Sequence, residues 1–193
     1  MNCLIVYCHP NPNSFNHAIL QAVREQLQEM GHSFSVRDLY AQNFNPVLTG
    51  AEIADSRKEG IPADVRAEQD AIRAADRVLF IYPLWWSGMP AMLKGYFDRV
   101  FGEGFAFRIS GLEMEGLLQP RKVLLFTTTG APEEVFASTG MFTSMKQTID
   151  EAIFLFCGME VVGHRYLTSV PFLGEEDRRR MLAEVKIFLQ EKL

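Results

Sequence analysis

Short apolar runs alternate along the chain with longer stretches in which apolar residues recur every three or four positions. The short runs cover residues 3–7, 33–39, 77–82, 122–127 and 159–167. They are too short for stable helices, and apolar runs of this length are typical of strands buried inside a sheet. The longer stretches predict helices over residues 14–30, 62–75, 90–101, 142–157 and 175–192.

Local signals mark several of these boundaries. Ser14 precedes the first helical pattern and can cap it, and Gly31 can end it. Pro90 suits the first turn of the third predicted helix. Residues 40–50 and 102–120 show no strong period, so both segments are predicted to be loops.

Strands that alternate with helices predict an α/β fold, with helices on both faces of a parallel sheet. Five strands suit the doubly wound order 2-1-3-4-5, and a chain of 193 residues suits one domain over residues 1–193. In that order strands 1, 3 and 4 are neighbours, and ligands bind beyond the carboxyl ends of the strands. The loops at 8–14, 83–90 and 128–136 are therefore predicted to converge on one site.

The first two of these loops offer a charged and an aromatic surface. The first leads into a helix N-terminus, which suits phosphate, and His9, Ser14 and Asn16 add side-chain donors. The second reads "PLWWSGMP" and holds Trp85 and Trp86 between prolines, as a stiff wall for a flat aromatic ligand requires. Neighbouring loop residues can point in opposite directions, so only Trp86 is predicted to face the ligand closely.

The third loop, "TTTGAPEE", completes the pattern. It supplies hydroxyls and backbone N–H groups for the polar edge of a ring, and Gly130 permits close backbone approach. Each loop alone also has a structural explanation, as a helix cap, a packed tryptophan or a simple turn. Phosphate at one end, an aromatic wall and a donor-rich edge together describe a flavin nucleotide.

The net charge and the cysteine spacing argue against several classes of protein. The formal net charge is -5, which argues against a general nucleic-acid or anionic-membrane binder, and Arg178 to Arg180 are expected to form a solvated helix face. The three cysteines have no disulfide spacing, and the chain has no predicted signal peptide or membrane span. A cytoplasmic location is therefore expected.

Four other site chemistries fit the residues poorly. The glycine fingerprint GxGxxG is absent after the first strand. Cys8 would need an arginine at position 14 to act as a phosphatase nucleophile, and Ser14 stands there. The four histidines have no metal-ligand spacing, so no metal site is expected. A flavodoxin-type electron carrier would normally have a Ser/Thr/Gly-rich first loop, whereas this loop has His and Pro.

The chain resembles the flavodoxin-like NAD(P)H dehydrogenase (quinone) family. The resemblance rests on seven stretches: "HPNPNSFNHA" (9–18), "DLYAQNFNP" (38–46), "AEQDAIRAAD" (67–76), "PLWWSGMPAMLKGYFDRVF" (83–101), "GFAF" (104–107), "TTGA" (128–131) and "FCG" (156–158). It implies a homodimer with a flavin at each of two interfacial sites. The cofactor is expected to be FAD, with FMN possible, and NAD(P)H is expected to reduce a quinone through flavin N5 in two steps.

The resemblance also assigns roles to residues. Positions that hold the flavin phosphates in the family match His9, Ser14, Phe15 and Asn16. Positions that line the isoalloxazine match Pro83, Leu84, Trp85 and Trp86. Positions that bond its polar edge match Thr128, Thr129, Gly130 and Ala131. The loop with Phe107 is expected to close the substrate pocket of the partner subunit, together with Trp86 of that subunit.

One departure from the family is informative. A Tyr and a His that stabilise charge and relay a proton in the best-known members are replaced by Phe136 and Phe142. Quinone reduction therefore needs water or another donor, or the acceptor differs. The alternative function implied by some bacterial relatives is a flavin-binding ancillary subunit that regulates a potassium efflux system.

Overall fold

The five apolar runs form one parallel sheet, and their order across it, numbered along the chain, is 2-1-3-4-5, which confirms the predicted doubly wound order. The computed structural model describes residues 1–55 and 60–193. The strands of this sheet are β1 (Asn2–Tyr7), β2 (Ser33–Asp38), β3 (Arg77–Pro83), β6 (Lys122–Thr128) and β7 (Glu160–Leu167). The central strands β1, β3 and β6 are buried along almost their whole length, as continuous apolar strands in a covered sheet should be. The edge strands β2 and β7 are mostly half-buried.

The register brings the carboxyl ends of the central strands together. Tyr7 of β1 pairs with Ile81 of β3, two residues before that strand ends. Pro83 of β3 pairs with Thr128 of β6, which in turn pairs with Leu167 of β7. The loops that follow β1, β3 and β6 therefore leave from one edge of the sheet, as the sequence predicts.

Helices cover both faces of the sheet. On one face lie α1 (Phe15–Glu29) and α7 (Glu175–Lys192), which share a buried cluster with the sheet. On the other face lie α3 (Ala63–Arg73), α4 (Ala91–Val100) and a π-helix (Lys146–Leu155), which contribute to a second cluster. The boundaries of α1 follow the sequence signals, because Ser14 caps its first turn and Gly31 takes a left-handed φ of 72° after its end.

The prediction of a loop over residues 102–120 is wrong in part. Strands β4 (Phe107–Ser110) and β5 (Glu113–Gly116) form an antiparallel hairpin there, with Gly111 at a φ of 64° in the turn. The ribbon has few buried side chains, so it lacks the apolar run that reveals a strand in sequence. Its base is fixed because Gly116 packs directly on the backbone of Gly158, where a Cβ would lie 2.3 Å from a nitrogen.

Short helices interrupt two other predicted loops. The segment α2 (Gly50–Asp55) begins at the end of the predicted loop 40–50, and α5 (Glu133–Thr139) takes the last residues of the predicted loop 128–136. The predicted helix 142–157 consists of α6 (Met141–Met145) followed directly by the π-helix. Among the residues that the structure describes, no helix combines the length and apolar character needed to cross a membrane.

Candidate functional site

The loop after β1 is held by its own polar side chains. The Asn11 N–H donates to His9 Nδ1 at 3.0 Å, and the Asn13 N–H donates to Asn11 Oδ1 at 2.9 Å. Burial lowers the pKa of His9. The neighbouring Cys8 is fully buried, and burial raises the pKa of its thiol to about 12. A thiol with that pKa is not a nucleophile at neutral pH, which agrees with the rejection of cysteine chemistry.

The N-terminus of α1 points toward the same edge of the sheet. Ser14 Oγ accepts the backbone N–H of His17 at 3.2 Å and lies 3.4 Å from the Tyr7 hydroxyl. The cap uses one of the free N–H groups of the helix and leaves others to face the site. Ser14 is therefore a helix cap in this structure, and its role toward a phosphate stays a prediction.

Asn16 joins the first loop to the third. Its Nδ2 donates to Thr128 Oγ1 at 2.8 Å, and the side chain is buried. Asn16 Oδ1 is buried as well and has no hydrogen-bond partner among the described residues. A buried carbonyl oxygen without a partner is costly, so a donor from a ligand would stabilise this arrangement.

The tryptophans sit on a tight turn after β3. Trp85 and Gly88 exchange two backbone hydrogen bonds, of 2.9 and 3.0 Å, across Trp86 and Ser87. Both intervening residues have left-handed φ values, 52° for Trp86 and 59° for Ser87, as in the mirror-image turns of hairpins. The turn directs the two rings apart: Trp86 is fully exposed, and Trp85 is 41% exposed with its ring 5.8 Å from that of His9.

The third loop forms backbone hydrogen bonds to the segment after β3 and to the end of β7. The Leu84 N–H donates to Thr128 O at 2.7 Å, and the Thr129 N–H donates to Leu167 O at 2.8 Å. The Thr129 hydroxyl donates to Ala131 O at 2.9 Å and closes the turn. A Cβ on Gly130 would meet only Pro171, at 3.9 Å, so the chain itself does not require glycine there.

Phe107 lies apart from the three loops. It starts the β4–β5 hairpin, and its ring is 5.3 Å from that of Phe156. Around it the hairpin exposes Ile109, Leu112 and Met114. The expected closure of a partner's pocket by this segment stays a prediction.

Phe136 and Phe142 pack together beside the third loop, at a ring distance of 5.6 Å. Phe136 is buried, and Phe142 also contacts the ring of Tyr166 at 5.0 Å. Neither phenylalanine offers a proton, so the wall they form is apolar.

Arg178 belongs to this region, although the sequence suggested a solvated helix face. Its guanidinium lies 5.7 Å from the ring centre of Phe15 and donates to Leu173 O and Val170 O, each at 3.1 Å. This brings a fixed positive charge to the N-terminus of α1. The strand order could have predicted this contact, because α1 and α7 follow strands of the same parallel sheet and begin at the same edge.

A flavin suits these residues. The helix N-terminus and Arg178 suit phosphate, the exposed Trp86 suits a flat ring, and the open space at Gly130 suits close approach to backbone N–H groups. The unpartnered Asn16 Oδ1 leaves an acceptor beside the third loop.

Comparison with known proteins identifies relatives along nearly the whole chain. The model of the flavodoxin-like fold family matches residues 1–191. A relative from Haemophilus influenzae, named as an uncharacterized NAD(P)H oxidoreductase, is 36% identical over 194 residues, which cover 100% of this chain and 96% of the relative. The ribosyldihydronicotinamide dehydrogenase (quinone) of Homo sapiens is 33% identical over 200 residues, which cover 93% of this chain and 87% of the relative.

A solved structure agrees with these sequences. The NAD(P)H:quinone oxidoreductase from Methanothermobacter marburgensis has a TM-score of 0.90 at 32% identity, with 98% of this chain and 97% of that chain covered. The convergence of the three loops at one sheet edge and the full-length sequence match lead to the same conclusion: the chain belongs to the flavodoxin-like fold family and, within it, to the NAD(P)H quinone oxidoreductases.

Proposed function

We propose that this protein is a flavin-dependent NAD(P)H:quinone oxidoreductase that works in two alternating half-reactions. The observation that carries the proposal is the junction of the three loops, where Thr128 accepts the Leu84 N–H at 2.7 Å and the Asn16 amide at 2.8 Å. A bound flavin would supply the chemistry, accepting a hydride from NAD(P)H and passing it to a quinone. The chain's own residues would bind and orient the reactants.

The phosphate end of the flavin belongs at the N-terminus of α1. Free N–H groups of the first turn and the partial positive charge of the helix favour an anion there. His9 and Ser14 flank this end, and Arg178 adds a formal charge over Phe15. Phe15 and Asn16 would hold the first turn in place because both are buried.

The ring belongs against the turn after β3. Pro83, Leu84 and the backbone of Trp85 would line the ring, and the exposed indole of Trp86 offers it a free apolar face. Backbone N–H groups of residues 128–131 would meet the polar edge of the ring, where negative charge grows on reduction. Ala131 O and Thr129 are already joined by a hydrogen bond, so this edge is preorganised.

The site is completed by a second copy of the chain. The β4–β5 hairpin carries Phe107, Ile109 and Leu112, and Leu112 is fully exposed. Exposed apolar side chains on one rigid ribbon are typical of an interface. We assign this hairpin to the homodimer contact that covers the pocket of the partner. The free, buried cysteines suit a reducing cytoplasm.

Steady-state kinetics test the proposed reaction. The purified protein, loaded with flavin, is mixed with NADH or NADPH and a water-compatible quinone, and initial rates are measured across both concentrations. One site used alternately by donor and acceptor gives parallel double-reciprocal lines. Intersecting lines, or oxidation of NAD(P)H that quinone does not accelerate, would contradict the proposal. The names of the relatives favour this enzyme over a regulatory subunit of a potassium efflux system.

A further inference from the structure

A hydrogen-bonded cluster lies one residue below the candidate site, under the ends of three strands. Tyr82 of β3, Thr127 of β6 and Tyr166 of β7 are register partners in adjacent strands. Tyr82 directly precedes Pro83, and Thr127 directly precedes Thr128. The cluster is therefore placed under the ring wall and under the loop that would meet the polar edge of the flavin.

His164 is the centre of the cluster. Its Nε2 lies 2.9 Å from Thr127 Oγ1, and its Nδ1 lies 2.8 Å from Asp150 Oδ1 in the π-helix. The Tyr166 hydroxyl lies 3.1 Å from the same Nδ1, and the two rings stack at 4.0 Å. The side chain of His164 is 5% exposed and that of Asp150 is 12% exposed. Both ring nitrogens are thus held by partners that can follow a change of protonation.

Tyr82 extends the cluster toward the ring wall. Its hydroxyl is buried and has no hydrogen-bond partner among the described residues. Its pKa is raised far above the usual value, first by burial. It stays protonated and can turn its O–H in response to charge beside it.

Solvent reaches the cluster from the other side. A groove of about 1180 Å³ runs along the outer edge of β7, and its lining includes Asp150, His164 and Tyr166. The other charged groups that line it are Glu133, Lys146, Glu151, Glu160, Arg165, Asp177, Arg180 and Glu184. Most of them are joined in ion pairs, such as Arg165 with Glu184 and Arg180 with Asp177. Asp150 is the carboxylate in direct contact with the imidazole.

The apolar wall makes this cluster relevant to catalysis. Phe136 and Phe142 cannot balance the negative charge that collects at the polar edge of a reduced flavin. Phe142 contacts the Tyr166 ring directly, so the cluster around His164 is the first polar group behind the two phenylalanines. Charges separated by a layer of side chains interact much more strongly inside a protein than in water.

We propose that the Asp150–His164 pair takes up one solvent proton when a flavin held at the candidate site is reduced, and releases the proton when the acceptor is reduced. This inference rests on the proposed flavin-dependent function. In the first half-reaction the electron pair goes to the flavin with the hydride. The proton comes from water in the groove and forms an N–H bond at the ring nitrogen that lacks hydrogen.

The imidazolium then donates to Asp150 through Nδ1 and to Thr127 through Nε2. In the second half-reaction the hydride would pass to the quinone, the other quinone oxygen would take its proton from water, and the N–H proton of the imidazole would return to solvent through the groove. His164 is a positioning residue for charge, because it acts through its hydrogen-bond partner Thr127 and has no assigned contact with substrate.

Nuclear magnetic resonance of histidine labelled with ¹⁵N tests the proposal. Spectra of the flavin-loaded protein are recorded oxidised and after reduction without oxygen, at neutral pH. The His164 signal is assigned by its loss in His164→Gln. We expect this signal to change from neutral imidazole to imidazolium on reduction. A His164 that keeps the same protonation in both states overturns the proposal.

A matched variant and proton counting separate the possible outcomes. His32, beside β2 at the opposite edge of the sheet, provides the control His32→Gln. With a pH indicator in weak buffer, His164→Gln should take up fewer protons per flavin reduced than both the wild type and His32→Gln. Equal uptake in all three overturns the inference but not the function. A protein that takes up no flavin overturns both.

Discussion

Trp85 and Trp86 are neighbours in sequence that reach different environments. The left-handed φ of Trp86 costs about 1–2 kcal/mol for a residue other than glycine, and Ser87 repeats it. The sequence placed both tryptophans in a stiff loop through the flanking prolines. It could not show the reversal of the chain at Trp86, because glycine, asparagine and aspartate dominate turns with positive φ, and Trp86 and Ser87 are none of these.

Replacing Trp86 separates binding from stability. Because the indole is fully exposed, Trp86→Ala should leave the free energy of unfolding of the flavin-free protein nearly unchanged. It should weaken flavin binding by about 1 kcal/mol, the typical value of one aromatic contact beyond its area. Fluorescence titration with flavin and chemical denaturation of the flavin-free protein measure the two effects. Unchanged flavin affinity would remove Trp86 from the wall.

Gly130 offers the converse test at the polar edge. Gly130→Ala should not destabilise the flavin-free protein, because the added Cβ would meet only Pro171, at ordinary contact distance. It should weaken flavin binding, because the Cβ would stand between the ring edge and the backbone N–H groups. Gly102→Ala is a matched control, since a Cβ there meets no atom within 4 Å. Equal flavin affinities for the two variants would contradict the assignment of this loop.

At the scale of elements, buried strands were predictable and the hairpin was not. The five apolar runs matched the sheet to within one residue at every end, because short apolar runs bounded by polar residues leave a clear pattern. Strands β4 and β5, "FRIS" and "EMEG", have mixed polarity and little burial. A two-stranded ribbon of this kind depends on what it packs against, and that information is not local in sequence.

The contact of Arg178 with Phe15 was missed for a related reason. The two residues are far apart along the chain, and a run of three arginines is usually a solvated face. The cluster around His164 likewise joins a π-helix to two strands. The three loops were found because parallel topology brings them together whatever the intervening sequence contains.

One ion-pair network ties three helices together. Arg99 of α4 donates to Glu52 of α2 at 2.7 Å and to Asp64 of α3 at 2.6 Å, and its side chain is 4% exposed. The hydrogen bond from Arg99 holds the pKa of Asp64 below its usual value of 3.8. A lowered carboxyl pKa stabilises the folded state above the usual value and loses that effect as pH falls through the lowered one.

Asp64→Asn tests this network. We expect the free energy of unfolding to fall by about 1 kcal/mol at pH 6, a value reduced for the partial exposure of Asp64. The difference from the wild type should shrink as pH falls from 3.8 through the lowered pKa of Asp64, below which the folded wild type also loses this charge. Denaturant titrations across this range measure it. A difference that is constant with pH would assign the effect to packing.

At the scale of the whole molecule, the β4–β5 hairpin sets the expected assembly. Leu112 is fully exposed at its tip, and Ile109 and Met114 are exposed beside it. Leu112→Glu should place a charge in the proposed homodimer contact and shift the protein toward monomer. Sedimentation velocity measures the shift. Ile187→Glu, on the exposed face of α7, is the control and should leave the assembly unchanged. A dimer that tolerates Leu112→Glu would exclude this hairpin from the interface.

The proposed function depends on a bound flavin, so identifying the cofactor directly is its sharpest test. The protein is purified without added flavin, its absorption spectrum is recorded, and any ligand released on denaturation is identified by chromatography against FAD and FMN. Apoprotein obtained without ligand is titrated with each flavin. We expect a yellow protein with a flavin spectrum and about one flavin per subunit. A colourless protein that binds neither FAD nor FMN would contradict the account.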